Sequence, residues 1–535
     1  MLERLKTTDK NKKTRLLCAA FAAFAVLYIA ARLILRQSKL MLFRFNLGFA
    51  IESAGLLYDF QTLIVLAVSA AVLAAAVYLA RRELRCEVFF PALALVFGLL
   101  YMFTITPLSV PDEATHFDAI IELTGKLFAK PFDASVGDFT GFSNHNNVCT
   151  GYLRVITELF GKAGDSEPFT TSVMGSMWTL TYAAEYIPQV IGYAIAHIFS
   201  LNGVTAFMLG RLCNLLFYVG CVSLALRLAP RFKLTLGLCS LMPMALQQAA
   251  SLSYDNFINS LCFVLFAALL RLIFGDGDEV PVGRLGETRP QYTYLIALAA
   301  AMLLAPAKGI YASFILLFLF VPRDRFGGKV GARARFWVML AACAAFFAAV
   351  SVPSMVRILN STPPSFALEG GEKYTLRFFL TNPGDALGMF KNGFNVYFAT
   401  WLTQAVGQSL STCNLEIPTW IVPVMLVILV LSAQNVEGRE AELPRGMRAV
   451  LAGICALVVL AFMMTMFLTW ISTRDKIVHG VQGRYFTPVI PLLLVALNNR
   501  TVVLKKDISR GLCMLTVLLS ARVVLAILEY TMFNV

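Results

Sequence analysis

Pro111-Asp112-Glu113-Ala114-Thr115-His116-Phe117-Asp118-Ala119 follows directly on Val88 to Leu108, a run apolar and long enough to cross a bilayer. Two adjacent carboxylates and a histidine one helical turn later therefore stand where a membrane span meets water. Acids in a first helical turn after a proline are ordinary, because they complement the helix dipole. His116 is not explained that way. On a helix starting at Pro111 it lies four residues from Asp112 and three from Glu113, sharing a face with both. A carboxylate at a partly desolvated membrane edge, oriented by such a neighbour, suits general-base chemistry. The same three side chains could hold a divalent cation, although two oxygens and one nitrogen underspecify a metal.

The surrounding composition sets the class. Of 535 residues 58% are hydrophobic and only 14% charged, with a mean hydropathy of +0.72. A soluble chain could not bury that much apolar surface, so an all-α polytopic membrane protein is expected. The net charge of +13 comes from short Lys/Arg blocks between apolar runs. That is positive-inside patterning and excludes a nucleic-acid partner.

Met1 to Arg15 is basic and precedes an apolar run from Leu16 to Leu35, read as an uncleaved first span with a cytoplasmic amino end. A second span ends at Arg81, Arg82 and Arg85, so the span before Pro111 exits outward and 109–203 forms a first external loop. Residues 184–200 read as an interfacial helix on the outer leaflet. Spans at 204–228, 234–250 and 257–273 follow. Tyr292 to Pro322 has both ends in basic loops, and each half of about 15 residues gives only roughly 23 Å of helix. Two short helices meeting near the outer half are expected there. A span at 336–352, a second external loop at 353–418, and spans at 419–433, 448–470, 485–497 and 511–530 complete about thirteen spans. The expected units are 1–87 (tail and two leading spans), 88–352 (membrane module), 353–418 (external loop) and 419–535 (carboxyl-terminal spans).

Other polar residues stand out against this background. Asp255, in Ser253-Tyr254-Asp255-Asn256, either caps the following helix or faces the same site as Asp112. Lys308 lies deep in an apolar stretch, where a cation costs about 2.5–3.5 kcal/mol and marks a ligand-binding cavity or a partner acid, with Asp255 available. Arg211 raises the same question two turns into its span. Arg484 opens Gly483-Arg484-Tyr485-Phe486-Thr487-Pro488. Cations converging on an acidic edge suggest an anionic lipid headgroup, most simply a phosphate. Of eleven cysteines only Cys149 and Cys413 fall in the external loops, where either a disulfide between them or two free thiols is open.

Pro111-Asp112-Glu113-x-x-His116-Phe117, Arg211-Leu212-Cys213-Asn214, Ser253-Tyr254-Asp255, Lys308-x-x-Tyr311 and Gly483-Arg484-Tyr485-Phe486-x-Pro488 occur in that order across residues 85–500. In this the chain resembles the bacterial predicted membrane proteins called domain of unknown function 2142. That family is similar in turn to GT-C glycosyltransferases, which use polyprenyl-phosphate-linked sugars. The resemblance implies a GT-C-like module in a bacterial plasma membrane, with 88–352 at its centre. Asp112 would be the acceptor-activating base or, with Glu113, a metal- or donor-orienting group. Asp255 would be the second acid, His116 a substrate contact, and Lys308, Arg211 and Arg484 phosphate ligands. The partner implied is a polyprenyl-phosphate-linked sugar donor, acting on an envelope glycan, lipid or protein. A transporter or flippase of a lipid-linked sugar would use the same cavity without bond-making, and a non-catalytic membrane component of an envelope-assembly complex would tolerate loss of Asp112, Asp255 and Lys308 together.

Overall fold

The computed structural model describes residues 2–47, 50–128, 145–162, 183–275, 290–360, 372–411, 415–437, 443–498 and 502–530. The chain is a bundle of helices, and nine of them among the described residues are long and apolar enough to cross a membrane. Long apolar runs can satisfy their backbone in lipid only as helices, so composition largely dictates this outcome. Thr14–Leu42 and Ile51–Arg81 form an antiparallel pair. Arg32 of the first donates to Thr62 Oγ1 (2.8 Å), and Arg81 of the second reaches back to Thr14 Oγ1 (2.8 Å).

Two segments are broken where the site needs backbone. Lys233–Cys239 and Pro243–Ala249 are two short helices in place of the expected 234–250 span. Pro243 starts the second, and Tyr218 OH holds Ser240 O across the break (2.8 Å). Pro290–Lys308 is an α-helix, and Gly309–Phe320 continues as a 3₁₀-helix. Tyr294 near the start of the first meets Phe318 near the end of the second, ring centres 5.9 Å apart, so the 31-residue apolar stretch folds back on itself. Lys308 (φ −146°, ψ 86°) is its turning point. The expectation of two short helices meeting near one face agrees with this hairpin.

The opposite ends of these helices gather the basic connections. Thr235 Oγ1 donates to Ser432 O (2.9 Å), Asn498 Nδ2 to Ala433 O (2.7 Å) and Arg448 to Asn498 O (3.3 Å). Asn435–Val436 pairs in parallel with Val503–Leu504 beside them. Arg231 lies over the Phe274 ring, and Arg335 over Phe326.

The two stretches expected as loops contain helices. Glu113–Phe128, His145–Glu158 and Ile187–Ile198 lie within 109–203. The last is 12 residues, about 18 Å, too short to span. Its Ile187, Ile191, Ile195 and Ile198 form an exposed apolar stripe, as an interfacial helix requires. Segment 353–418 holds Leu376–Thr381 and the 24-residue Pro383–Val406. That longer helix fixes the 483–489 turn: Trp401 Nε1 donates to Val481 O (3.0 Å), Gly483 N to Gln404 Oε1 (3.1 Å) and Thr487 Oγ1 to Ala405 O (2.9 Å). Cys149 is buried in its helix, whereas Cys413 lies outside the described residues, so the bridge between them is not addressed.

Small residues let the interfacial helix sit close on Gly203–Leu228. A Cβ on Gly192 would come within 2.4 Å of the Leu209 carbonyl, and one on Gly210 within 2.7 Å of the Tyr193 ring. Close backbone approach of this kind is how helices associate in lipid. Gly192→Val is expected to destabilise the protein by about 1–3 kcal/mol or more by overpacking. The check is the thermal unfolding midpoint in detergent, and an unchanged midpoint would contradict the packing described.

Candidate functional site

Asp112 and Glu113 are neighbours in sequence but not in space. Asp112 adopts a left-handed backbone (φ +61°), and the helix begins only at Glu113. Among non-glycine residues Asp is one of the few that tolerate this conformation. The turn sends the two carboxylates in different directions.

Glu113 goes inward. Its oxygens take a two-pronged pair from Arg211, Nε to Oε1 at 2.9 Å and Nη2 to Oε2 at 2.7 Å, with both side chains fully buried. Arg211 also donates to the carbonyls of Ile105 (2.5 Å), Met102 (3.3 Å) and Thr106 (3.0 Å), which end the Cys86–Thr104 helix. Leu252 N donates to Glu113 Oε1 (3.0 Å). The structure thus places Glu113, expected as catalytic, and Arg211, expected as a phosphate ligand, in a buried framework. Neither has exposed surface, and their polar atoms are committed to holding four chain segments together. Removing one partner of a buried pair strands a charge, at about 3–5 kcal/mol, while replacing both with apolar groups is nearly neutral. Glu113→Leu or Arg211→Met alone should lower folded yield and unfolding midpoint sharply, and the double variant should lose clearly less than the two single losses added together, because no charge is left stranded while the carbonyl bonds stay lost. Additive losses would refute this account.

Asp112 goes the other way and meets Arg484. The Arg484 Nη2 pairs with Asp112 Oδ2, and Nη1 donates to Pro111 O (3.1 Å). The Arg484 Nε lies 3.5 Å from Asp255 Oδ2, and Lys308 Nζ donates to Asp255 Oδ1 at 2.6 Å. Gln248 Nε2 approaches Asp255 Oδ2 (3.4 Å) and has its own oxygen held by Asn259. The result is an alternating row of charges: Asp112, Arg484, Asp255, Lys308. The Asp112 side chain is 57% exposed, against 5% for Arg484 and 9% for Asp255. Asp255 does not cap its helix. Tyr254 occupies that position without a side-chain bond, and Ser253 Oγ accepts from Asp255 N (3.2 Å).

Behind this row lie uncharged and aromatic groups. Lys308 Nζ sits over the rings of Tyr485 (4.3 Å), Tyr254 (5.3 Å) and Phe462 (5.9 Å). His116 Nδ1 is 2.8 Å from Tyr186 OH, and its ring meets Tyr254 edge-on at 4.9 Å. Burial pulls the imidazole pKa down to about 4, with Asp112 and Asp255 resisting and Arg484 and Lys308 assisting. It is neutral at physiological pH. Since the folded state holds this group below its ordinary 6.5, the unfolded chain binds more protons between those values. His116 therefore contributes stability that is present above about pH 6.5 and lost as pH falls toward 4. The unfolding midpoint of wild type should drop over this window, and that of His116→Gln should drop less. Parallel curves would count against it.

Sequence reasoning brought Asp112, Asp255, Lys308, Arg484 and His116 to one site, and the structure places them together. It missed Glu185, Gln189, Gln248 and the part played by Tyr186, Tyr254 and Tyr485. The only signal was an acid, Glu185, immediately before an apolar helix. The residues do not fit the divalent cation considered from sequence. Among the described residues no three His, Cys, Asp or Glu side chains are grouped to hold a metal ion, and Glu113 points away.

Residues 95–493 match the model of the family described as predicted membrane protein (DUF2142). No curated protein and no solved structure matches the chain. The match covers most of the chain, so the protein belongs to this family of multi-pass membrane proteins.

Proposed function

We propose that this member of the predicted membrane protein family is a GT-C-like inverting glycosyltransferase, moving a sugar from a polyprenyl-phosphate carrier to an envelope acceptor at the outer leaflet. The observation that carries the reading is the meeting of Asp112, Asp255, Lys308 and Arg484, four ionisable residues from distant parts of the chain, at one end of a membrane bundle. Structural ion pairs need no exposed member, yet Asp112 is more than half open. The Lys/Arg-rich connections lie at the other end, which by the positive-inside rule is cytoplasmic. That orientation puts the site outside a bacterial plasma membrane and the amino end inside. Counting the 290–320 hairpin as two traverses, and each broken helix as one, keeps the reading of about thirteen.

In this mechanism the cations hold the donor phosphate and Asp112 receives the acceptor. As the acceptor hydroxyl attacks the anomeric carbon, its O–H proton passes to the Asp112 carboxylate. The bond from that carbon to the phosphate oxygen breaks, and the electron pair leaves with the phosphate, whose growing charge Arg484 and Lys308 stabilise. Asp255 is not the base. It lies between the two cations and fixes their spacing. His116, neutral and tied to Tyr186, orients the wall beside them.

Asp112→Asn preserves shape and left-handed backbone while removing basicity. In a strain lacking the wild-type protein it should leave the surface glycan defect uncorrected, with transfer reduced at least 100-fold, the scale of general-base loss. Folded protein level, followed by detergent size-exclusion, should be normal. Full restoration of the glycan profile by the variant would rule out Asp112 as base and favour transport or assembly.

A further inference from the structure

Glu185 is an acid that the mechanism above leaves unused. It is 1% exposed, and its Oε2 has no hydrogen-bond partner among the described residues. One turn further on, Gln189 is fully buried. Its Nε2 donates to Leu252 O (3.3 Å) and Ser253 O (3.4 Å), which leaves its Oε1 without a partner among the described residues. Glu185 lies in the 3₁₀ turn Ala183–Tyr186 and Gln189 in the first turn of the helix Ile187–Ile198 that follows it, with Gln189 against the 252–255 turn. Tyr186, between them in sequence, meets Tyr254 of that turn (5.9 Å).

The charged groups acting on Glu185 are Lys308 and Asp255 of the row. Burial is the larger influence and raises the carboxyl pKa well above its usual range, against the pull of Lys308 and with Asp255 reinforcing it. His116, on the helix facing this turn, is neutral. Two buried oxygens, neither with a partner among the described residues, thus lie on the segment packed against the 252–255 turn that carries Asp255, with Tyr186 between them in sequence. Unsatisfied buried oxygens destabilise a fold, and a ligand rich in hydroxyl donors would relieve them.

We propose that Glu185 and Gln189 form the sugar-recognising wall of the site, accepting hydrogen bonds from the hydroxyls of an uncharged pyranose whose phosphate rests on Lys308 and Arg484. This rests on the glycosyltransferase reading. The ligand class follows from the oxygens: hydroxyls satisfy them without introducing charge, whereas an ammonium-bearing sugar would force the buried Glu185 to ionise. Tyr186 and Tyr254 supply ring surface next to them, suited to the apolar C–H patches of a sugar.

The test uses the full chain in detergent, with farnesyl phosphate and its glucosyl, galactosyl and mannosyl esters as probes and thermal-shift titration as readout. Wild type should bind its preferred ester about tenfold more tightly than farnesyl phosphate, the scale of one or two hydrogen bonds. Glu185→Leu should abolish that preference, leave farnesyl phosphate binding unchanged, and raise the unfolding midpoint, since it removes a buried carboxyl oxygen that has no partner among the described residues. Glu185→Gln, which keeps an acceptor oxygen, should retain most of the preference. The inference is overturned if Glu185→Leu keeps the sugar preference or lowers the midpoint, or if wild type binds esters and farnesyl phosphate alike. If wild type binds no phosphate-bearing probe at all, the glycosyltransferase reading itself falls.

Discussion

The fully buried pair between Glu113 and Arg211 is the constraint from which the site is built. A charge in the interior of a membrane bundle is tolerated only when its hydrogen-bonding capacity is used, and Arg211 reaches this by closing on three carbonyls as well as on the carboxylate. Those carbonyls end one helix, Glu113 begins another, and Leu252 brings in the turn before Asp255. The pair therefore determines where the 106–112 turn and the 252–255 turn stand relative to each other. Asp112 and Asp255 inherit their separation from it, and Arg484 enters between them.

A second layer of order comes from uncharged polar groups. Asn214 Nδ2 donates to Ser251 O (2.7 Å), and Asn256 Nδ2 to Asn214 Oδ1 (2.9 Å). These amides tie the turn after Pro243–Ala249 to the helices Gly203–Leu228 and Asp255–Phe274. Fully satisfied networks of this kind specify a single arrangement in a low-dielectric interior. Glu185 Oε2 and Gln189 Oε1, without partners among the described residues, stand out against it.

Much of this was readable from sequence because apolar surroundings make charge conspicuous. Lys308 was identifiable as a cation that lipid would not accept alone, Asp112 and Asp255 as acids at the ends of spans, and Arg484 as a cation converging on that edge. The bundle itself followed from hydropathy, and the family match bears out the resemblance drawn from short motifs. Asp112 and Glu113 were read as neighbours on one helical turn because periodicity was counted from Pro111, and one left-handed residue at Asp112 turns them apart. The 383–406 helix read as loop because Lys391, Asn392 and Gln404 interrupt its hydropathy, while tertiary bonds to the 481–487 segment hold it. Glu185 gave only a weak signal and Gln189 none, since a polar residue at the start of an interfacial helix is ordinary until its partners are known.

The contact between Asp112 and Arg484 joins residues 372 positions apart. A ribosome inserting this chain into a membrane completes the Glu113–Arg211 framework and the Asp255–Lys308 pair long before Arg484 emerges. Until then the cluster holds two carboxylates against one cation, and its alternating row of charges is completed only late in synthesis, when the 483–489 segment docks.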